Sequence, residues 1–147
     1  MNPKHRELND LIAQLANKYV FFRSRILKDA NLLDLTIAEL NVMQAVGPRS
    51  ERTMSEVAGL LGITPGTLTP AVDRLVAKGY ASRRHSEDDR RLVLVSLTVR
   101  GREALEEHDR LQTEATSKIT APFSEDELDV VLAGARKLNA ELDRFIR

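Results

Sequence analysis

A change in the spacing of apolar residues is the feature that most limits how this chain can fold. On both sides of residues 80–97, apolar side chains recur every three or four positions, which is the period of an amphipathic helix. Residues 80–84 and 92–97 are instead short, β-branched or alternating, and the polar residues 86–89 lie between them. This pattern is typical of a β-hairpin with an exposed tip. The sequence therefore predicts a mostly α-helical protein with one small hairpin.

Capping signals divide the helical part of the chain. Three Ser/Thr-x-x-Glu sequences, which begin at Thr36, Thr53 and Ser124, predict capping boxes at helix starts. Thr64 followed by Pro65 predicts a further start, because proline is well tolerated at the first helical position. Long helices are expected over about residues 5–28 and 99–119. The short helix that follows Thr53 has its apolar positions at Val57, Leu60 and Leu61.

Composition excludes several classes of protein. The 147 residues include 22 Lys+Arg, 22 Asp+Glu and no cysteine, so disulfides, thiolate metal sites and thiol switches are absent. No apolar run is long enough for a membrane span, and we expect one cytoplasmic domain with no membrane contact. His5, His85 and His108 are too scattered for a metal site, and no cofactor is expected. No nucleophile has an adjacent base, so an enzyme is not expected.

A short helix, a tight turn at Gly62, a second helix and then a hairpin predict a helix-turn-helix followed by a wing. Such a motif sets the start of its second helix against base edges in the major groove, and wing arginines can enter the minor groove. Residues 73–102 hold 8 Lys/Arg against 4 Asp/Glu, which is compatible with a local positive face but also with an ordinary solvated surface, so charge alone does not decide between them. The predicted DNA contacts are Thr64, Thr67, Thr69, Arg74, Arg83, Arg84, Arg90 and Arg91.

Two segments within residues 53–98 resemble the MarR family of bacterial transcription regulators. They are MSEVAGLLGITPGTLTPAVDRLVAKGYASRR and DDRRLVLVSLT, in which Asp89, Arg91, Leu97 and Thr98 match the family's wing pattern. The resemblance implies a winged helix-turn-helix at residues 35–98, between dimerisation helices at 1–34 and 99–147. It also implies that Arg91 is the wing-tip arginine and that Asp89 braces its guanidinium group.

The resemblance further implies that a small organic effector binds between the dimer helices and the winged helix. The residues expected to line such a pocket are Tyr19, Phe22, Arg23, Met43 and Phe123, although core packing also explains the apolar ones. The segment TPGTLT is similar to the corresponding segment of family members that repress fatty-acid synthesis genes. This similarity favours an effector related to lipids or fatty acids.

Pro70 departs from the family pattern, because many members have a basic or polar residue there. If the helix starts at Thr64, Pro70 removes one backbone hydrogen bond inside it. The alternative is that the regular helix begins only at Pro70, with Thr69 as its cap.

Two hypotheses follow for function. The first is a homodimeric regulator that binds a palindromic duplex DNA operator, acts as a repressor and responds to a small ligand. The second is a winged-helix protein-interaction module that does not bind DNA, which the neutral charge and the aspartates Asp88 and Asp89 at the wing tip favour. The salt dependence of binding separates the two hypotheses.

Overall fold

The computed structural model describes residues 2–146. In chain order its elements are α1 (Pro3–Asp29), α2 (Ile37–Val46), β1 (Glu51–Thr53), α3 (Met54–Leu61), α4 (Pro65–Ala77), β2 (Ala81–His85), β3 (Val93–Leu97), α5 (Val99–Thr120) and α6 (Glu125–Ile146). The prediction of a mostly helical chain with a small hairpin is confirmed. In the part of the chain that the structure describes, no helix is both long and apolar enough to cross a membrane.

The predicted capping boxes form as expected. At the start of α2, the Thr36 hydroxyl accepts from the Glu39 backbone N–H at 3.1 Å, and the Glu39 carboxylate accepts from the Thr36 N–H at 2.9 Å. The same reciprocal pairs open α3 and α6. Gly62 ends α3 at φ 66°, a left-handed conformation that glycine adopts without strain. These local interactions account for the accuracy of the predicted helix boundaries.

The hairpin belongs to a three-stranded antiparallel sheet with the order β1-β3-β2. Arg83 on β2 lies opposite Val95, and Arg52 on β1 lies opposite the same residue from the other side. Strand β1 was not expected from the sequence. It has only three residues, and a segment this short has too few positions to display an alternating pattern.

The core of the winged helix lies among α2, α3, α4 and the sheet. Its fully buried members include Leu40, Leu68, Leu75 and Val95. Of the three apolar positions of α3, Val57 is buried and Leu61 packs against the core, whereas Leu60 faces solvent. Its side chain is 61% exposed, because α3 ends one residue later and Ala58 takes the buried position beside Val57.

The chain divides into two compact units, one up to Gln112 and one from Thr113 onward. In the first unit, α1 buries only Ile26 and Leu27 and leaves the apolar face of its earlier turns exposed. In the second unit, none of the α6 residues that the structure describes is buried. Both terminal helices therefore carry apolar faces that their own unit does not cover.

Candidate nucleic-acid interface

Threonines form the first turn of α4, which we term the recognition helix because it is the second helix of the helix-turn-helix. The Thr64 hydroxyl accepts from the Thr67 backbone N–H at 3.2 Å, and the two hydroxyls share a hydrogen bond of 2.9 Å. Both residues are exposed. Because each hydroxyl carries one hydrogen and only one is used between them, the pair retains a donor and several acceptor sites for DNA.

Pro70 lies inside the recognition helix, which begins at Pro65. Of the two alternatives left open by the sequence, the structure therefore has the one with an interior proline. Thr69 donates its hydroxyl to the Pro65 carbonyl at 2.9 Å, which uses the single hydrogen of that hydroxyl within the helix. As a DNA contact, Thr69 can still accept a hydrogen bond or present its methyl group to thymine.

Arg74 lies on the recognition helix and is partly held by a buried carboxylate. Its Nε donates to Glu39 Oε1 at 2.9 Å, while about half of its side chain stays exposed. Lys78, one turn later, donates to Glu39 Oε2 at 2.8 Å. Burial raises the pKa of Glu39, but the hydrogen bonds from Lys78, the Thr36 backbone and Arg74 outweigh it and hold the pKa below the ordinary value of a glutamate. Glu39 is therefore a carboxylate anion that both cations share.

The outgoing wing strand β2 carries Arg83 and Arg84, and each forms an ion pair. Arg83 Nη1 lies 2.6 Å from Asp73 Oδ1, which connects the wing to the recognition helix. Arg84 contacts the Glu51 carboxylate of β1 through Nε at 2.8 Å and Nη2 at 2.6 Å. This bidentate pair lowers the pKa of Glu51 and raises that of Arg84. Both arginines are near the surface, but neither is unpaired.

The wing tip differs from the prediction in how Asp89 acts. Asp89 Oδ1 accepts from the Arg91 backbone N–H at 3.0 Å, so it supports the turn and does not brace the guanidinium group. The carboxylate is drawn to the nearer amide, because the two residues lie in a tight turn closed by the Leu92 N–H on the Asp89 carbonyl at 2.9 Å. The side chains of Arg90 and Arg91 are exposed and have no partner among residues 2–146.

The residues predicted to line an effector pocket fall in different environments. Tyr19 and Phe22 stack on α1 with ring centroids 5.8 Å apart, and Arg23 Nη2 donates to Gln44 Oε1 at 3.1 Å. Met43 is instead fully buried within the hydrophobic core, where its packing explains its presence. Its role as a pocket residue stays a prediction. Phe123 is partly exposed in the unit that begins at Thr113.

Three buried polar atoms on α1 and α5 lack a hydrogen-bond partner among the described residues. They are Arg23 Nε on α1 and His108 Nε2 and Gln112 Oε1 on α5. Gln112 Nε2 donates to the Tyr19 hydroxyl at 3.3 Å, which brings the two helices together at this point. Buried polar groups are normally paired, so each of these atoms has the capacity for one further polar partner.

Sequence reasoning missed the role of Glu39 because its partners are remote in the chain. The capping box signals Glu39, but Arg74 and Lys78 lie 35 and 39 residues further on. Within residues 2–146, no three His, Asp or Glu side chains converge as a metal site would require.

Comparison with known proteins identifies the family. A model described as MarR family matches residues 33–92. The multiple antibiotic resistance protein MarR of Escherichia coli is 32% identical over 97 residues, which cover 65% of this chain and 67% of that protein. The chain belongs to the MarR family. This MarR-family protein is also similar to YcgE, an HTH-type transcriptional regulator of Bacillus subtilis, with 24% identity over 92% of the chain and 88% of YcgE.

Two solved structures extend the similarity to complexes with DNA. Streptococcus pneumoniae FabT in complex with DNA matches this MarR-family protein with a TM-score of 0.88 and 29% identity, over 96% of this chain and 99% of that one. A mutant Escherichia coli MarR complexed with operator DNA matches with a TM-score of 0.72 and 28% identity, over 90% and 93% of the two chains. The resemblance to MarR regulators derived from the sequence is therefore confirmed.

Proposed function

We propose that this protein is a homodimeric, sequence-specific DNA-binding repressor whose binding is modulated by a small organic ligand. The observation that carries the DNA-binding part is the wing tip, where Arg90 and Arg91 present unpaired guanidinium groups on a turn held by Asp89. Free guanidinium groups suit the negative potential of a minor groove. The similarity to FabT and MarR, both solved with DNA, supports the same role.

In this proposal the recognition helix and the wing make different contacts with DNA. Thr64, Thr67 and Thr69 begin the recognition helix and meet base edges or phosphates in the major groove. Arg74 follows along the same helix. The pair between Arg83 and Asp73 fixes the wing relative to that helix, so that both can engage DNA together.

The proposal of a homodimer rests on the apolar faces that α1 and α6 leave exposed. The first unit exposes Leu8, Leu11 and Leu15 on α1, and the second exposes Leu138 and Leu142 on α6. A second copy of the chain would cover such faces, and a two-fold dimer would present two recognition helices about 34 Å apart, one turn of DNA. In this arrangement residues 1–34 and 99–147 act as the dimerisation region.

The effector is proposed to bind where α1 meets α5, beside Tyr19, Phe22 and Arg23. The unpaired buried atoms of Arg23, His108 and Gln112 support a ligand with both donor and acceptor groups there. The assignment of the effector as a lipid or fatty-acid compound rests only on the sequence TPGTLT and stays a prediction. The ligand regulates only if it prefers one spacing of the recognition helices over another.

The test is selection of bound duplexes from a random DNA pool by wild-type protein and by Arg91→Ala. We expect the wild type to enrich a palindrome that the variant recovers poorly. Arg49→Ala, which removes an exposed charge from the turn between α2 and β1, serves as the matched control and should recover the same palindrome. If folded wild-type protein, stripped of any ligand, enriches no DNA duplex and instead binds a protein with an affinity that does not depend on salt, the interaction-module hypothesis is supported.

A further inference from the structure

Glu39 does more than cap α2. The capping box uses its Oε2 to accept from the Thr36 backbone, which leaves Oε1 unoccupied by the cap. In the structure Oε1 accepts from Arg74 Nε at 2.9 Å, and Oε2 also accepts from Lys78 Nζ at 2.8 Å. The carboxylate therefore joins α2 to the last turn of the recognition helix, through Arg74, and to its C-cap residue, Lys78.

The burial of Glu39 makes this connection specific. Its side chain has no exposed surface, and a buried carboxylate is tolerated only when it is paired and hydrogen-bonded. A shift of the recognition helix on α2 would separate this buried carboxylate from both of its cations. Lys78 strengthens the attachment because its ammonium group also donates to the Asp34 carbonyl, in the segment before α2.

The contact with Glu39 also sets the orientation of Arg74. A guanidinium group is planar and rigid, so a hydrogen bond at Nε fixes the plane in which both terminal nitrogens lie. The Arg74 side chain is 54% exposed, and Glu39 is the acceptor that its Nε contacts. The two terminal nitrogens thus remain available on the surface of the helix that enters the groove.

We propose that Glu39 is a positioning residue for DNA recognition: through Arg74 and Lys78 it fixes the recognition helix on α2 and aims the Arg74 guanidinium group at the DNA. This inference rests on the proposed DNA-binding function. Glu39 does not touch the DNA itself. Its effect is on discrimination between sequences, since it restrains two cations that would otherwise meet any phosphate.

The test compares Glu39→Gln with wild type on two probes, the duplex enriched by wild-type selection and a scrambled duplex of the same length and base composition. We expect the variant to bind the enriched duplex about tenfold more weakly. Its affinity for the scrambled duplex should stay the same or rise, and the slope of log affinity against log salt should steepen by about one, because released cations reach phosphates. A purely structural role would instead weaken both affinities equally.

Glu56→Gln is the matched control, because Glu56 occupies the same capping-box position on α3 without a contact to the recognition helix. It should leave the ratio of the two affinities unchanged. Arg74→Lys supplies a second variant that keeps the charge and leaves the Lys78 contact in place. It should lose discrimination as Glu39→Gln does, and the double variant should lose little more than either single one.

The possible results distinguish a failure of the positioning role of Glu39 from a failure of the proposed DNA-binding function. If wild type shows no preference between the two duplexes, the proposed function fails and this inference with it. If wild type discriminates and Glu39→Gln keeps the affinity ratio within twofold, only the positioning role is overturned. Additive losses in the double variant would likewise overturn it. If Glu39→Gln does not fold, Glu39→Asp, which keeps the charge but shortens its reach to Arg74 by one methylene group, decides by the same ratio.

Discussion

The five arginines predicted to contact DNA fall into two groups according to their partners. Three of them, on α4 and β2, donate to carboxylates. The two at the wing tip, Arg90 and Arg91, have no side-chain partner among the described residues. A guanidinium group whose charge is already balanced by a carboxylate gains less from a phosphate than a free one, which replaces a condensed counterion directly. The wing tip is therefore expected to supply most of the sequence-independent attraction.

Substitution of a free and a paired arginine should separate these groups. Arg90→Ala is expected to reduce the magnitude of the slope of log affinity against log salt by about 0.9, the value for one phosphate contact. Arg84→Ala should reduce it by less than half as much, because Arg84 is already neutralised by Glu51. A salt titration of binding to a random duplex measures both.

Glu51→Gln is the complementary variant, since it releases Arg84 and should steepen the same slope. Equal slopes for Arg84→Ala and Arg90→Ala would contradict the division of the arginines by their partners.

At the scale of elements, the junction between the wing and α5 depends on close backbone approach. A Cβ atom at Gly101 would lie 1.9 Å from the Tyr80 carbonyl oxygen and 2.9 Å from its carbon. Thr98 stabilises the same junction, because its hydroxyl donates to the Gly79 carbonyl at 2.6 Å and accepts from the Gly101 N–H at 3.0 Å. Only glycine fits at position 101 without displacing α5 from the end of the recognition helix.

Gly101→Ala should therefore lower the free energy of unfolding by about 1–3 kcal/mol or more, the cost of forcing atoms into a packed site. Gly59→Ala is the control, because Gly59 lies in α3 and nothing outside that helix comes within 4 Å of the place its Cβ would take. That change should stabilise the protein by about 0.5–1 kcal/mol. Urea unfolding of both variants measures the difference, and equal stabilities would show that α5 can shift at no cost.

The elements that sequence reasoning located are those whose ends are fixed by nearby residues. The capping boxes at Thr36, Thr53 and Ser124 act within three residues, so their signals are visible in the chain itself. Strand β1 and the constraint on Gly101 depend on partners far along the chain. Glu51, for example, pairs with Ser96, and Gly101 meets Tyr80. No local pattern reveals such contacts.

In the candidate site, too, sequence reasoning located only the features that depend on nearby residues. The threonines and arginines were located from their positions on a predicted helix and hairpin, but their carboxylate partners were not. Glu39 was recognised as a cap and Asp89 as a brace, yet the structure gives the first a long-range role and the second a backbone role. Charge pairing is decided by which side chains meet in space, and sequence spacing determines this only for neighbours.

At the scale of the whole molecule, the uncovered faces of the terminal helices require an explanation. Exposed apolar patches of this kind mark interaction surfaces in soluble proteins. On α6, Leu138 and Leu142 are exposed one turn apart, with Phe145 close to them along the same groove. In a dimer such residues would exclude water together, and each protomer would contribute one winged helix to a palindromic site.

Carboxylates introduced on this face should prevent dimerisation. In Leu138→Glu/Leu142→Glu, two charges would have to be buried without partners, and this desolvation costs more than the loss of the leucine packing itself. We expect sedimentation analysis to show a monomer at concentrations where wild type is a dimer. Binding to the enriched palindrome should also have about half the wild-type salt slope, because only one winged helix then neutralises phosphates. Lys137→Glu, a neighbouring polar position, controls for added negative charge. A dimeric double variant with unchanged salt slope would mean that this face of α6 is not the interface.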